Sequence, residues 1–511
     1  MTSSFPIDSK ILREAIGSVC QITNTTTDPG KVADALVTYS QAKALDYKTS
    51  VVRGGRGSGK SFWWAALQSE DHRRWIANAL GPKLSRAENL TVIPGFGISM
   101  SESYPSPRLL ENLAKEHLAH LEDIWTTVLL KQALPKELSP YEEMTNWSAR
   151  VTWTATNVER VEGLMRKLEQ LTTSANAHLL IAFDGLDRLA GTWTDIRPLA
   201  RSILRFALHL QSSSRIRAKV FLRPDMFDDS QIVAFPDASK LLDGHASLNW
   251  TPVELYSLFF QRLANADVEL AAQAFREGAE AILSNGGYPS AKWNNKGGVW
   301  DLPAPIKTEA KAQRELFHAL TGEAMSHNQS SVKRGYPYTW LPNHLADSHG
   351  ELSPRSFLAA LREAADVTPP STTSRPLYFT GIQQGVSAAS ATRVGEIKED
   401  YPWLNSVMGV LSNRINVPCD QSELFALWKE EEVLSAIAQS GGNDSDEFSA
   451  KLGPADLTQN KTEDLFENLV RLGIFSRQAK ERVQMPDVYR VAFGIGRRGG
   501  IPPIRQAAHQ S

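Results

Sequence analysis

The sequence predicts an α/β chain: a parallel-sheet core, then a helical subdomain, then a C-terminal winged-helix-like module. Three observations predict the core. Val51-Val52 runs into Arg53-Gly-Gly-Arg-Gly-Ser-Gly-Lys-Ser and then into apolar Phe62 to Leu67, giving strand, glycine-rich turn and helix in succession. Leu179-Leu-Ile-Ala-Phe is five apolar residues ending in Asp184, as expected for a central parallel strand with a carboxylate at its carboxyl end. Ala218-Lys-Val-Phe-Leu is a further short buried strand, and it ends in Arg223.

The glycine-rich turn carries the most specific chemistry. Gly54, Gly59, Lys60 and Ser61 satisfy G-x-x-x-x-G-K-[ST], the P-loop pattern. Glycines let the backbone curl so that its N–H groups point at a polyphosphate, where a Cβ would obstruct them. The candidate cradle is therefore Gly54, Gly55, Arg56, Gly57, Ser58, Gly59, Lys60, Ser61 and Phe62, at the N-terminus of a helix. Lys60 is expected on the β- and γ-phosphates of ATP, with Mg²⁺ held by the Ser61 hydroxyl and by Asp184. The residue after Asp184 is Gly185, where many hydrolases of this kind carry a glutamate that activates water. Asp187 is the nearest substitute. It reads equally well as a helix-start carboxylate paired with Arg188.

Length bounds the rest. A chain of 511 residues suggests roughly three domains. Its 42% hydrophobic and 22% charged residues are those of a water-soluble globular protein. A net charge of −2 leaves no overall attraction to nucleic acid, so any such contact is a local patch. Two distant cysteines, Cys20 and Cys419, fit a reducing cytoplasm and give neither a disulfide scaffold nor metal-type spacing. No apolar run reaches membrane-spanning length, and the first residues lack a signal design.

In chain order, residues 1–48 are a helical lead-in with a Thr-rich turn at 23–27, and 49–265 form the P-loop core. Within the core, Leu90 to Gly97 is a strand, 108–134 one strongly apolar-periodic helix, 157–171 a second, and 195–211 a third packing on the sheet. Thr251 caps a helix with Pro252 at its first position. Residues 266–366 are a helical lid-type subdomain with a Gly- and Asn-rich exposed insertion at 284–307. Arg355 opens the helix after Ser353-Pro354; a cation there opposes the helix dipole and calls for an anion, either a phosphate or a nearby carboxylate. Residues 367–380 are a linker. In 381–511, residues 381–441 are helical, and 462–494 are a helix stopped at Gly473 and followed by a hairpin. The tail from Gly494 is basic and Gly-rich, either a binding strap using Arg497, Arg498 and Arg505 or a solvated terminus.

Gly-Gly-Arg-Gly-Ser-Gly-Lys-Ser, Phe183-Asp-Gly-Leu-Asp-Arg and Phe221-Leu-Arg-Pro-Asp together resemble the STAND and KAP branch of P-loop ATPases. Leu248-Asn-Trp, Glu254, Arg262 and Ser353-Pro-Arg also resemble AAA+ initiator-type ATPases. The likeness covers about residues 40–366. It implies an additional-strand core, in which Arg223 senses the γ-phosphate; structural pairing with Asp225 or Asp184 is the alternative. Absent membrane helices and the short stretch after residue 381 depart from KAP and STAND members respectively. Chains of this look are often encoded in anti-phage or mobile-element operons, which implies a switch gating a neighbour-encoded protein effector, with homo-oligomers open. DNA binding through the C-terminal module, and a non-hydrolysing ATP-bound scaffold, are the other two readings.

Overall fold

The computed structural model describes residues 5–22, 28–81, 89–369, 375–440, 462–499 and 501–504. The chain divides into two compact units: one of Asn24–Val32 and Val37–Asn249, the other of Met1–Thr23, Ala33–Leu36 and Trp250–Ser511. The first residues thus belong with the C-terminal half, and the expected linker at 367–380 falls inside a unit. Its residues 370–374, the Thr-rich turn at 23–27 and Arg505 lie outside the described residues.

The first unit is built on a five-stranded, wholly parallel sheet. Its strands are β1 (Val51–Arg53), β2 (Leu90–Phe96), β3 (His178–Phe183), β4 (Ile216–Leu222) and β5 (Ala246–Ser247), in the order β2-β3-β4-β1-β5. Strand β4 lies between the other two functional strands: Val220 is in register with both Phe183 and Val51. That insertion places Gly54, Asp184 and Arg223 at the carboxyl ends of three adjacent strands.

Every residue of β3 is buried, because helices cover both of its faces. On one side Trp193–Leu210, capped by the Thr192 side chain accepting from Asp195 N–H, presents Ile203, Leu204, Ala207 and Leu210. Trp125 meets Phe183 edge-on in the same core, and from the P-loop helix Trp64 Nε1 donates to the Ala182 carbonyl at 3.0 Å.

The single helix expected over 108–134 is two, Pro107–Glu116 and Glu122–Ala133. Leu110, Leu113, Ile124 and Trp125 are all buried, whereas Leu118 in the break is 70% exposed. The bend keeps both apolar stripes on one core; in a straight helix the stripe drifts around the axis.

Lys219, in the middle of β4, is fully buried. Its Nζ donates to the carbonyls of Ala44, Asp46 and Thr49 at 2.8, 2.9 and 2.7 Å. Three acceptors match the three donors of an ammonium. They pin the segment that feeds β1 and the loop beyond it.

The second unit is mainly helical. Thr251 and Glu254 close a capping box on Pro252–Ala264. Its Tyr256 is enclosed by Phe317, Tyr338 and Phe357, with ring centroids 4.8, 4.3 and 5.1 Å away. Helix Pro354–Val367 packs along Phe379–Asp400, the helix on the far side of the expected linker. A Cβ on Gly385 would lie 2.1 Å from the Ala360 carbonyl oxygen, so only glycine admits this approach. The insertion at 284–307 carries a hairpin, Asn294–Lys296 with Val299–Asp301.

Residues 381–441 are not helical throughout. Strands Asn416–Val417 and Cys419–Asp420 interrupt them around Pro418, which has no N–H to continue a helix. Helix Thr462–Arg471, the Gly473 stop at φ +75° and the hairpin Ser476–Gln478 with Arg482–Gln484 follow as expected. Cys419–Asp420 adds a third antiparallel strand to that hairpin. The described residues of the basic tail are tied down at several points rather than free throughout. Gly496–Arg497 pairs with Asn416–Val417, and buried Arg490 donates to the carbonyls of Ile495 and Ile501 at 2.8 and 2.7 Å. Among the described residues no helix is long and apolar enough to cross a membrane.

Candidate functional site

The glycine-rich turn leaves β1 and opens the helix Lys60–Gln68, with Gly59 as its N-cap at φ +100°. Gly54 hydrogen-bonds back to the Leu222 carbonyl at 3.0 Å, which ties the start of the turn to the end of β4. A Cβ on Gly54 would stand 2.5 Å from Ser58 Oγ and 3.2 Å from Lys60 Cγ. The turn closes on itself only because that position is bare.

Lys60 curls over the turn. Its Nζ donates to the carbonyls of Gly54 and Gly55 at 2.7 and 2.8 Å. Burial pushes its ammonium down to about 8, against the attraction of Asp184. Phe62 points away into an aromatic cluster, 5.0 Å from Trp63 and 6.3 Å from His72 between centroids.

Asp184 is buried at the end of β3, with the Ser61 side chain close enough to favour its charged form. Burial raises its pKa, while Ser61 and Lys60 oppose the shift. The Ser61–Asp184 pair brings the two predicted Mg²⁺ ligands together: a hydroxyl and a carboxylate are hard oxygen donors of the kind Mg²⁺ takes. Gly185, at φ +69°, explains why no glutamate follows. A Cβ there would lie 2.7 Å from Ile98 Cγ1 of the β2 loop, in a backbone region that disfavours side chains.

Asp187 sits in the short 3₁₀ turn Leu186–Arg188. It pairs not with Arg188 but with Arg223, whose Nη1 is 3.2 Å from Asp187 Oδ2. Arg223 also grips Asp225 with two nitrogens: Nε to Oδ1 at 3.0 Å and Nη2 to Oδ2 at 2.8 Å. Of its two expected structural partners, Asp225 is the one engaged in this way. Asp184, Asp187, Arg223 and Asp225 all lie within electrostatic reach of Lys60.

Arg355 is in the other unit. Its Nη1 donates to Glu396 Oε1 at 2.6 Å, so a carboxylate of the chain supplies the anion that its helix-start position calls for. One contact lies outside the expected set: Arg53 meets Asp228 at 3.4 Å and the Phe227 ring at 5.8 Å, just outside the turn.

No protein-family model matches the sequence, and no curated protein does either. Three solved structures are similar along most of their length. The Aeropyrum pernix ORC1 protein in complex with DNA is 14% identical, with 90% of this chain and 92% of that one covered and a TM-score of 0.33. Cdc6p from Pyrobaculum aerophilum is 10% identical, with 92% and 94% covered and a TM-score of 0.29. The Aeropyrum pernix ORC2 protein, in ADPNP–ADP complexes, is 10% identical, with 87% and 85% covered and a TM-score of 0.29. Likeness at this level decides nothing about what the chain binds. The functional reading rests on its own residues.

Proposed function

We propose that the chain binds ATP with Mg²⁺ in the turn Gly54–Ser61 and hydrolyses it, using the nucleotide state as a switch that gates a partner. The observation that carries this is the position of the Lys60 ammonium. It is held over the Gly54 and Gly55 carbonyls at a helix N-terminus, beside the Ser61–Asp184 pair. The turn supplies inward backbone N–H groups, and Lys60 supplies a point charge for the β- and γ-phosphates. When bound, Mg²⁺ would neutralise charge on the phosphate oxygens, and Ser61 and Asp184 would hold it. Asp187 orients the attacking water, and Arg223 neutralises charge on the terminal phosphate. Lys60→Ala tests the assignment: calorimetry should show ATP affinity lost while the circular dichroism of the fold is unchanged. Wild-type affinity in that variant removes the site. Tight ATP binding by the wild type without turnover would instead favour an ATP-bound scaffold.

A second reading, DNA binding, is favoured by one observation. The helix Thr462–Arg471 and its hairpin, a winged-helix-like arrangement, expose Arg477, Lys480 and Arg482, and the tail exposes Arg497 and Arg498. Glu467 and Asp420 pair with Arg477 and Arg482, which weakens the patch; Lys480 and Arg498 carry no ion pair among the described residues. Duplex DNA bound with a steep salt dependence, and lost in Lys480→Glu with Arg498→Glu, supports this reading. Equal binding by that variant ends it.

A further inference from the structure

Arg223 joins two carboxylates by different numbers of contacts. Asp225 takes Nε and Nη2 with its two oxygens, and Asp187 takes Nη1 alone, at 3.2 Å. A two-point contact fixes the plane of a guanidinium; a one-point contact does not. The backbone builds the grip. Arg223 is the N-cap of the short helix Pro224–Phe227, Pro224 fixes the first helical position, and Asp225 follows in the first turn. The Arg223 side chain is only 10% exposed, so its orientation is enclosed as well as hydrogen-bonded.

We propose that Asp225 is a positioning residue for ATP hydrolysis: it holds Arg223 side-on, so that the guanidinium's Nη1 edge faces Asp187 or a terminal phosphate. This rests on the hydrolysis reading above. A phosphate held by Lys60 competes with Asp187 for the same edge of the guanidinium. When the phosphate takes it, the Asp187 carboxylate is released to orient water, and Asp225 keeps the guanidinium in place. Asp187 is thereby disengaged only when a terminal phosphate is bound, which ADP lacks.

The test is a double-mutant cycle read by single-turnover hydrolysis, with ADP affinity measured alongside. Asp225→Asn keeps the shape but turns an amide N–H toward the guanidinium, so hydrolysis falls about tenfold or more while ADP affinity stays within about threefold. Asp225→Glu restores part of the rate. In the Arg223→Ala background, Asp225→Asn has no further effect, because Asp225 acts through Arg223. Additive losses, or equal losses in ATP and ADP affinity, overturn the positioning role and leave ATP hydrolysis standing. Absence of turnover in the wild type overturns both.

Discussion

Arg223 Nη1 lies 3.2 Å from Asp187 Oδ2, so the carboxylate in the turn after the acidic strand is paired with the residue that follows the neighbouring strand. The pair spans 36 residues of sequence and exists because β3 and β4 are adjacent and parallel. It makes Asp187 and Arg223 interdependent. Asp187→Asn should keep nucleotide affinity and slow single-turnover hydrolysis by about tenfold or more. Unchanged hydrolysis in that variant assigns the water to another group.

Asp184→Asn separates metal from base. Because Asp184 stands beside Ser61, its loss should weaken Mg²⁺-dependent ATP binding far more than metal-free binding. Calorimetric titration of ATP with and without Mg²⁺ reads this. An equal effect under both conditions removes Asp184 from the metal site.

Gly54→Ala tests the closure of the turn. The added methyl would meet Ser58 Oγ at 2.5 Å, so ATP affinity should fall by about tenfold or more with little change in Tm. Adding Ser58→Ala removes the clashing oxygen and should recover part of the loss. No recovery would place the damage in the backbone instead.

Burial pushes the Lys219 ammonium from the ordinary 10.5 down to about 7. Between those values the unfolded chain binds the proton more readily than the folded chain, so stability rises with pH across that window. Lys219→Met has no such proton. Its Tm should therefore fall further behind that of the wild type between about pH 7 and about pH 10. A constant gap means that the three carbonyl acceptors outweigh desolvation and hold the folded pKa near its ordinary value.

Arg490 is fully buried against Asp487 and holds two carbonyls of the C-terminal tail. Arg490→Met leaves the buried Asp487 carboxylate poorly compensated, at a cost of about 3 kcal/mol or more. Chemical denaturation should show that loss, and limited proteolysis should cleave first between Gly494 and Ile504. Protease resistance equal to wild type would show that strand pairing alone keeps the tail in place.

The local grammar of the site was legible in the residues. Spacing marked Gly54, Gly59, Lys60 and Ser61, and apolar runs ending in Asp184 and Arg223 marked β3 and β4, because buried parallel strands must be apolar and polar groups gather at their carboxyl ends. The Thr251 cap and the Gly473 stop were legible for the same reason: their chemistry acts within a few residues. That the Asp184 and Arg223 strands are neighbours followed only from the resemblance to additional-strand cores; the register pairing Val220 with both Phe183 and Val51 was not legible, since it depends on residues far apart in sequence. Nor was the break near Leu118, which follows from where the core lies rather than from any glycine or proline. The partner of Asp187 was decided the same way. Arg188 was adjacent in sequence, but the tertiary structure brought Arg223 alongside, and an ion pair forms with the charge that is near in space.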